Sequence, residues 1–328
     1  MRLFAVLLLI IFVGGCQGDK KEPASTPQGK EPAYEGRTLG EWVTLTRDKD
    51  QSLRQNAVLA LGKIGPTAIP ALIELLKDEN EAVRVEARLA LFHIGSASVP
   101  ALTELLKDKD WHVRETAVLT LADIGPPAKA AIPALTKLMK DSQVREQAAQ
   151  TLGRIGPESV PALMELLKDE DWHVRYEAAR NIGMIGSAAK AAIPALTKLL
   201  KDENGTGDTC QQVRGSAAWG LGGIGPEART AISSLTELLH DQNGAVRLAA
   251  AWALGKIGPE AKPAIPSLTE LLKDKKSDVR GAAAFALGKI GPEAKTAVPA
   301  LTELFKDKDE KVQRAASQAL AEINKEKK

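Results

Sequence analysis

One phrase, written over and over, limits this chain more than any other feature. It reads apolar-Pro-Ala-Leu-x-x-Leu-Leu-Lys-Asp, then Val-Arg-x-x-Ala-x-x-x-Leu-Gly-x-Ile-Gly, and recurs with small changes from residue 37 to the end. Its arginines fall at Arg54, Arg84, Arg114, Arg145, Arg175, Arg214, Arg247 and Arg280, and a ninth unit carries Gln313 at that place. Successive marks lie 30, 30, 31, 30, 39, 33, 33 and 33 residues apart. A period of this size belongs to solenoids, in which each unit buries its apolar face against its neighbours. The length differences sit in linkers. Pro66 to Pro70 is short, Pro259 to Pro266 is three residues longer, and the widest spacing holds an insertion between Lys201 and Val213.

Each unit is predicted to be two antiparallel helices. The first, for example Ile69 to Lys77, opens on a proline, whose missing N–H costs nothing in a first turn. Leu72, Leu75 and Leu76 give it an apolar face. The second is expected to start at an Asp or Asn cap, at Asn80, Asp110, Asp141, Asp171, Asn243 and Asp309. It stops at Ile-Gly, often followed by Pro. With aromatics at 4% of the chain, many thin helices packed closely are expected in place of one thick core. The expected fold is all-α, a right-handed α-α superhelical solenoid of about nine two-helix units. At helix separations of roughly 8–10 Å, nine units make a curved rod about 80 Å long.

This pattern resembles the HEAT-repeat family, in particular the short repeats of bilin-lyase type. In that family an Asp and an Arg six residues apart link neighbouring units through a hydrogen-bonded ladder. The resemblance assigns this role to Asp48 and Arg54, Asp78 and Arg84, Asp108 and Arg114, Asp169 and Arg175, Asp241 and Arg247, and Asp274 and Arg280. Gln313 opposite Asp307 departs from it, as suits a terminal unit. The resemblance implies a concave face lined by second helices, the surface that repeat proteins use for binding. It leaves function to be argued from a site.

The amino terminus is of another kind. Arg2 precedes the apolar run Leu3 to Val13, too short to span a bilayer, which takes about 20 residues. A positive charge, a short apolar stretch and small residues describe a secretory signal, here residues 1–15. Val13-Gly14-Gly15-Cys16 resembles the lipobox of bacterial lipoproteins, with Val in place of the usual Leu. The resemblance implies that Cys16 is acylated and becomes the first residue of a membrane-anchored, extracytoplasmic protein. Gln17 after it resembles an outer-membrane sorting signal. Residues 16–36, rich in Lys, Glu, Pro, Gly and Ser, cannot bury an apolar face and are expected to form a flexible tether. Its reach would be roughly 25 Å. With Cys16 acylated, Cys210 has no partner for a disulfide.

Little in the sequence points to chemistry. His93, His112, His173 and His240 are not followed by Glu and show no metal-ligand spacing. No glycine loop opens a helix as a phosphate cradle would; each Leu-Gly-x-Ile-Gly closes one. The acidic, glycine-rich insertion 203–210 lacks the ligand order of a calcium loop. Net charge is +2 without a basic stripe, which weighs against nucleic acid. No cofactor and no metal are expected.

The second helices offer a better candidate. With the Val of Val-Arg as position one, a turn of about 100° per residue puts positions one, five, eight, nine and twelve in the core. Position seven points away. It reads Leu59, Leu89, Leu119, Gln150, Arg180, Trp219, Trp252, Phe285 and Gln318. Two readings stand. Leu89, Leu119, Trp219, Trp252 and Phe285, with Tyr176 and Arg180, form a surface that grips a protein segment; exposed apolar patches and Trp mark such surfaces. Alternatively these side chains lie on neighbouring helices and fill space left by Gly215, Gly220, Gly222 and Gly281. The expectation is a monomeric, non-enzymatic scaffold for other proteins. An accessory enzyme akin to the bilin lyases, or a plain spacer, is the alternative.

Overall fold

The computed structural model describes residues 31–204 and 207–325. The signal segment and Cys16 lie outside them. Two short strands, β1 (Ala33–Tyr34) and β2 (Arg37–Thr38), pair antiparallel, and the indole N–H of Trp42 donates to the Tyr34 carbonyl at 3.0 Å. Residues 31–36, the end of the segment expected to be a tether, are thus tied to the first helix at Trp42, and of them only Tyr34 is half-buried.

The rest is a single file of helix pairs. In chain order the first four are α1 (Leu39–Leu45) with α2 (Gln51–Ile64), α3 (Ile69–Leu75) with α4 (Glu81–Ile94), α5 (Val99–Leu105) with α6 (Trp111–Ile124), and α7 (Ile132–Leu138) with α8 (Arg145–Ile155). Then come α9 (Val160–Leu166) with α10 (Trp172–Ile185), α11 (Ile193–Leu199) with α12 (Asp208–Ile224), and α13 (Ile232–Leu238) with α14 (Gly244–Ile257). The file closes with α15 (Ile265–Leu271) and α16 (Ser277–Ile290), then α17 (Val298–Glu303) and α18 (Glu310–Ile323). The architecture is the expected all-α solenoid of nine pairs.

Short first helices and longer second helices follow from the sequence. Proline sits in the first turn of α3, α5, α7, α9, α11, α15 and α17. Caps form at Asp50, Asn80, Asp110, Asp171, Asn243 and Asp309, each accepting from the N–H two residues on. Asp141 is a correction. Its turn is two residues shorter than the others, so α8 starts late, at Arg145, behind Val144. The Asp141 carboxylate accepts from the Gln143 N–H at 3.0 Å and from Arg114 at 2.9 Å, as a ladder acid does, and caps no helix. Second helices end at glycines in the left-handed region, such as Gly65 (φ 90°) and Gly258 (φ 83°), where a Cβ would be strained.

The repeat arginine works with two hands. In Arg175 one nitrogen donates to the carbonyl of Asp169 at 2.8 Å, closing its own turn. Another donates to the carboxylate of Asp202, in the next unit, at 2.8 Å. The same double grip joins Arg114 to Asp108 and Asp141, Arg247 to Asp241 and Asp274, and Arg280 to Asp274 and Asp307. Thus in these four the Asp six residues before the Arg contributes its carbonyl, and the link between units runs to the following acid, whereas Arg145 takes the Met139 carbonyl and Arg214 that of Asp202. Arg84 holds the Asp78 carbonyl at 2.7 Å, while Asp108 receives Lys77 at 2.7 Å.

Candidate functional site

On the second helices, the side of position seven that faces away from the first helices carries an aromatic groove across α10, α12 and α14. Its volume is about 590 Å³. Tyr176, Arg180 and Met184 come from α10, Gln211, Gln212 and Trp219 from α12, and Trp252 from α14. The ring centres of Trp219 and Trp252 are 3.8 Å apart at 43°. Trp219 remains 39% exposed and Met184 59%, unusual for large apolar side chains.

The local sequence explains why the groove exists here. On α12 the neighbours of Trp219 along its face are Gly215 and Gly223, so nothing flanks the ring on its own helix. Around Gly215 an added Cβ would meet no atom within 4 Å, which is open groove. Below it α10 and α12 touch backbone to backbone. A Cβ on Gly223 would lie 2.3 Å from the Gly183 carbonyl oxygen, and one on Gly220 would lie 2.7 Å from that of Ala179. The insertion lengthens α12, which starts at Asp208, a turn earlier than its counterparts; Gln211 and Gln212 follow that extra turn, at the places Gly244 and Ala245 hold in α14, and form the rim. Arg175 clamps the base of the insertion by donating to the Asn204 carbonyl at 2.6 Å, in addition to its buried pair with Asp202.

A smaller cavity of about 300 Å³ adjoins the groove, sharing Tyr176 and Gln212. Trp172 meets Tyr176 edge to face there, with centroids 6.5 Å apart. Glu177 forms its floor, and burial raises the pKa of this carboxyl, with Arg180 opposing and Glu146 reinforcing the rise. Asn181, one turn on, is fully buried and donates to the Glu177 carbonyl at 2.9 Å. Its side-chain oxygen has no hydrogen-bond partner and faces Gly153, where an added Cβ would lie 2.9 Å away.

Four of the residues singled out from sequence thus share one groove: Tyr176, Arg180, Trp219 and Trp252. Phe285, Leu89 and Leu119 lie outside it. Phe285 lies over Gly255 and Trp252 over Gly222, where added Cβ atoms would come within 2.8 Å and 2.4 Å of the rings. These two rings thus pack between repeats, as the gap-filling reading expects. Leu89 and Leu119 stand 37% and 39% exposed on separate helices. Of the four glycines offered as gaps, Gly220 and Gly222 are filled, whereas Gly215 and Gly281 face open space. Met184, Gln211 and Gln212 were not legible as site residues; Met184 sits four residues beyond Arg180, and the glutamines follow directly on the insertion. Trp111 stacks on its neighbour His112, with centroids 3.6 Å apart. Cys210 is buried. Among the described residues no group of three or more His, Cys, Asp or Glu could hold a metal.

Paired helices in one file, tied by an arginine–aspartate ladder, define an α-solenoid of helical repeats. The family model for HEAT repeats matches residues 41–99, 69–144, 133–208, 204–288 and 265–328, and the chain belongs to that family. Its fold is similar to that of the karyopherin Kap121p. A Kap121p mutant aligns with a TM-score of 0.62 and 14% identity, over 90% of this chain and 38% of that one. Kap121p bound to the extreme C-terminus of the protein phosphatase Cdc14p aligns with a TM-score of 0.52 and 14% identity, over 87% and 37%. The chain spans well under half the length of these karyopherins. An engineered protein shares 28% identity over 88% of this chain and 89% of its own, with a TM-score of 0.49. No curated protein matches the chain significantly.

Proposed function

We propose that this HEAT-repeat solenoid is a non-catalytic scaffold that holds a segment of another protein in the groove over Trp219. The observation that carries the reading is an exposed tryptophan cleared on both sides by glycine, over a floor where two helices touch through their backbones. Such a floor does not yield when a ligand arrives, and a rigid aromatic anchor loses little entropy on binding. Trp and Arg, both present, are the side chains enriched at binding hot spots. Kap121p, a solenoid of similar fold, binds a protein's C-terminal segment, which fits the same use of the architecture.

The test is a random-peptide selection on the full chain, repeated on Trp219→Ala. Trp219 is chosen over Trp252 because it is the more exposed ring, so its loss leaves the helix contacts in place. Peptides enriched on the wild type and lost on Trp219→Ala, with an unchanged melting curve, support the reading. A selection that yields no peptide, or peptides indifferent to Trp219, ends it.

The same proposal places the scaffold at a membrane through Cys16. The support is Val13-Gly14-Gly15-Cys16 behind an apolar run. Among the described residues no helix is long and apolar enough to cross a membrane. Radiolabelled palmitate should enter the wild-type chain and not Cys16→Ser; equal labelling of both would remove the anchor from the proposal.

A further inference from the structure

The groove is charged in one sense only. Of the residues that line it, Arg180 is the single charged one, and no carboxylate faces in. Two more cations continue the line: the Lys256 ammonium lies 5.8 Å from the ring centre of Trp252, and that of Lys289 lies 5.8 Å from Phe285. Positions three, seven and eleven of α10, α12, α14 and α16 hold these three cations and no acid. The equivalent positions of α6 and α8 hold Glu115, Asp123 and Glu146 beside one cation, Arg154, which stands 3.5 Å from Asp123. Between α6–α8 and α10–α16 the face thus changes from mainly acidic to basic and aromatic.

Resting on the protein-binding reading above, we infer that the occupant is an extended acidic polypeptide segment. Its carboxylates meet Arg180, Lys256 and Lys289, and its apolar side chains rest on Trp219, Trp252 and Phe285. Charge complementarity sets the sign. The helix file sets the spacing. Neighbouring helices stand roughly 8–10 Å apart, and an extended chain advances about 3.1–3.3 Å per residue. One helix step is therefore about three residues. Arg180 and Lys256 are two helices apart and Lys256 and Lys289 one, so the second carboxylate follows the first by about six residues and the third by about three more. The residue between the first two, over Trp219, is apolar. Single-stranded nucleic acid also stacks on aromatic rings beside cations. Three cations across four helices are too few for a backbone charged at every nucleotide, and the chain's net charge is only +2.

The experiment is fluorescence anisotropy on the full chain with labelled twelve-residue peptides. One carries Glu at its second, eighth and eleventh residues with Leu between; a second replaces each Glu by Lys; a third crowds the same Glu residues at alternate places. A twelve-nucleotide oligothymidine is the fourth probe. The first peptide should bind, weaken as salt rises, and lose affinity about tenfold on Arg180→Gln and about threefold on Lys256→Gln or Lys289→Gln. All three side chains are exposed, so melting curves should not move. Equal or tighter binding of the lysine peptide, of the crowded peptide or of the oligonucleotide overturns the inference. If the selection yields Trp219-dependent peptides that are neutral or basic, the acidic assignment fails while the scaffold survives. If no peptide binds in either experiment, both fail.

Discussion

The early and late repeats use one sequence pattern but join their units differently. Where the linker is long, the arginine reaches the next acid: Arg114 to Asp141, Arg214 to Asp241, Arg247 to Asp274 and Arg280 to Asp307 all lie within 2.7–2.9 Å. Where it is short the link loosens or shifts. Arg54 stands 3.6 Å from Asp78, Asp108 is taken by Lys77, and Arg145 turns to the cap acid Asp171. The second helices differ too. In α10, α12, α14 and α16 the tenth position is Gly183, Gly222, Gly255 and Gly288, and added Cβ atoms would lie 2.8–2.9 Å from the backbone Cα of the next helix. In α4 and α6 that position is Phe92 and Ala122, and in α2 and α8 it is Gly62 and Gly153, whose added Cβ atoms would first meet side chains, of Ala90 at 3.0 Å and of Asn181 at 2.9 Å. Glycine weakens a helix by itself, by roughly 0.5–1 kcal/mol against Ala. Here it lets helices close up, so that seventh-position rings lie across the seam instead of standing alone. The late half carries a line of aromatic rings, of which Trp219 and Trp252 meet, and the early half a row of separate leucines.

Four measurements test this contrast. The largest effect is expected for Asp202→Ala, which leaves the buried Arg175 guanidinium without its carboxylate and should cost about 3–5 kcal/mol. Asp78→Ala, at the loose early link, should cost about 1 kcal/mol or less. Hydrogen exchange resolved to α10, α12 and α2 would separate them, since repeat arrays open locally; equal losses would refute the contrast. Next is Gly223→Ala, whose Cβ would press on the Gly183 carbonyl and should cost about 3 kcal/mol. Gly62→Ala meets only the Ala90 side chain at 3.0 Å and should be milder by urea denaturation.

The third concerns acid. The Arg280 guanidinium bonds the Asp307 carboxylate and holds its pKa below the ordinary value. That link therefore contributes fully above the unfolded value, about 4, and is lost as pH falls through the lower folded value. Glu177 has the opposite sign: burial raises its pKa, so ionisation costs stability above the ordinary carboxyl range. Asp307→Asn should flatten the acid limb of the stability curve, while Glu177→Gln should stabilise at pH 7 and change little at pH 4. A destabilised Glu177→Gln at pH 7 would show that the charge is wanted. The smallest effect is Gly281→Ala, which enters open space on α16 and should stabilise by about 0.5–1 kcal/mol, read as a raised melting temperature.

The architecture was legible because a solenoid repeats its evidence: every cap, proline and Ile-Gly stop is written several times. Asp141 misled because the cap and the ladder acid are both Asp, and only turn length separates them. The site was half legible. Helical periodicity put Arg180, Trp219 and Trp252 on one line, but periodicity says nothing of which way a ring lies. That depended on pairs such as Gly222 with Trp252, which are close only once neighbouring helices are stacked. Gln211 and Gln212 were hidden because they follow a stretch that reads as a loop, although α12 already begins at Asp208.

The left-handed glycine that ends every second helix from α2 to α16 has a consequence for how this rod can change its length. From Gly65 to Gly291 the joint keeps φ between 68° and 92°, so any two joints are interchangeable. Excising residues 226–258 would fuse Gly225 to the segment after Gly258 at an unaltered bend and lay Phe285 where Trp252 had been. A duplication would do the reverse. Such a rod can grow or shrink by whole units in one genetic event, while a single methyl group on the Gly183–Gly223 seam is resisted.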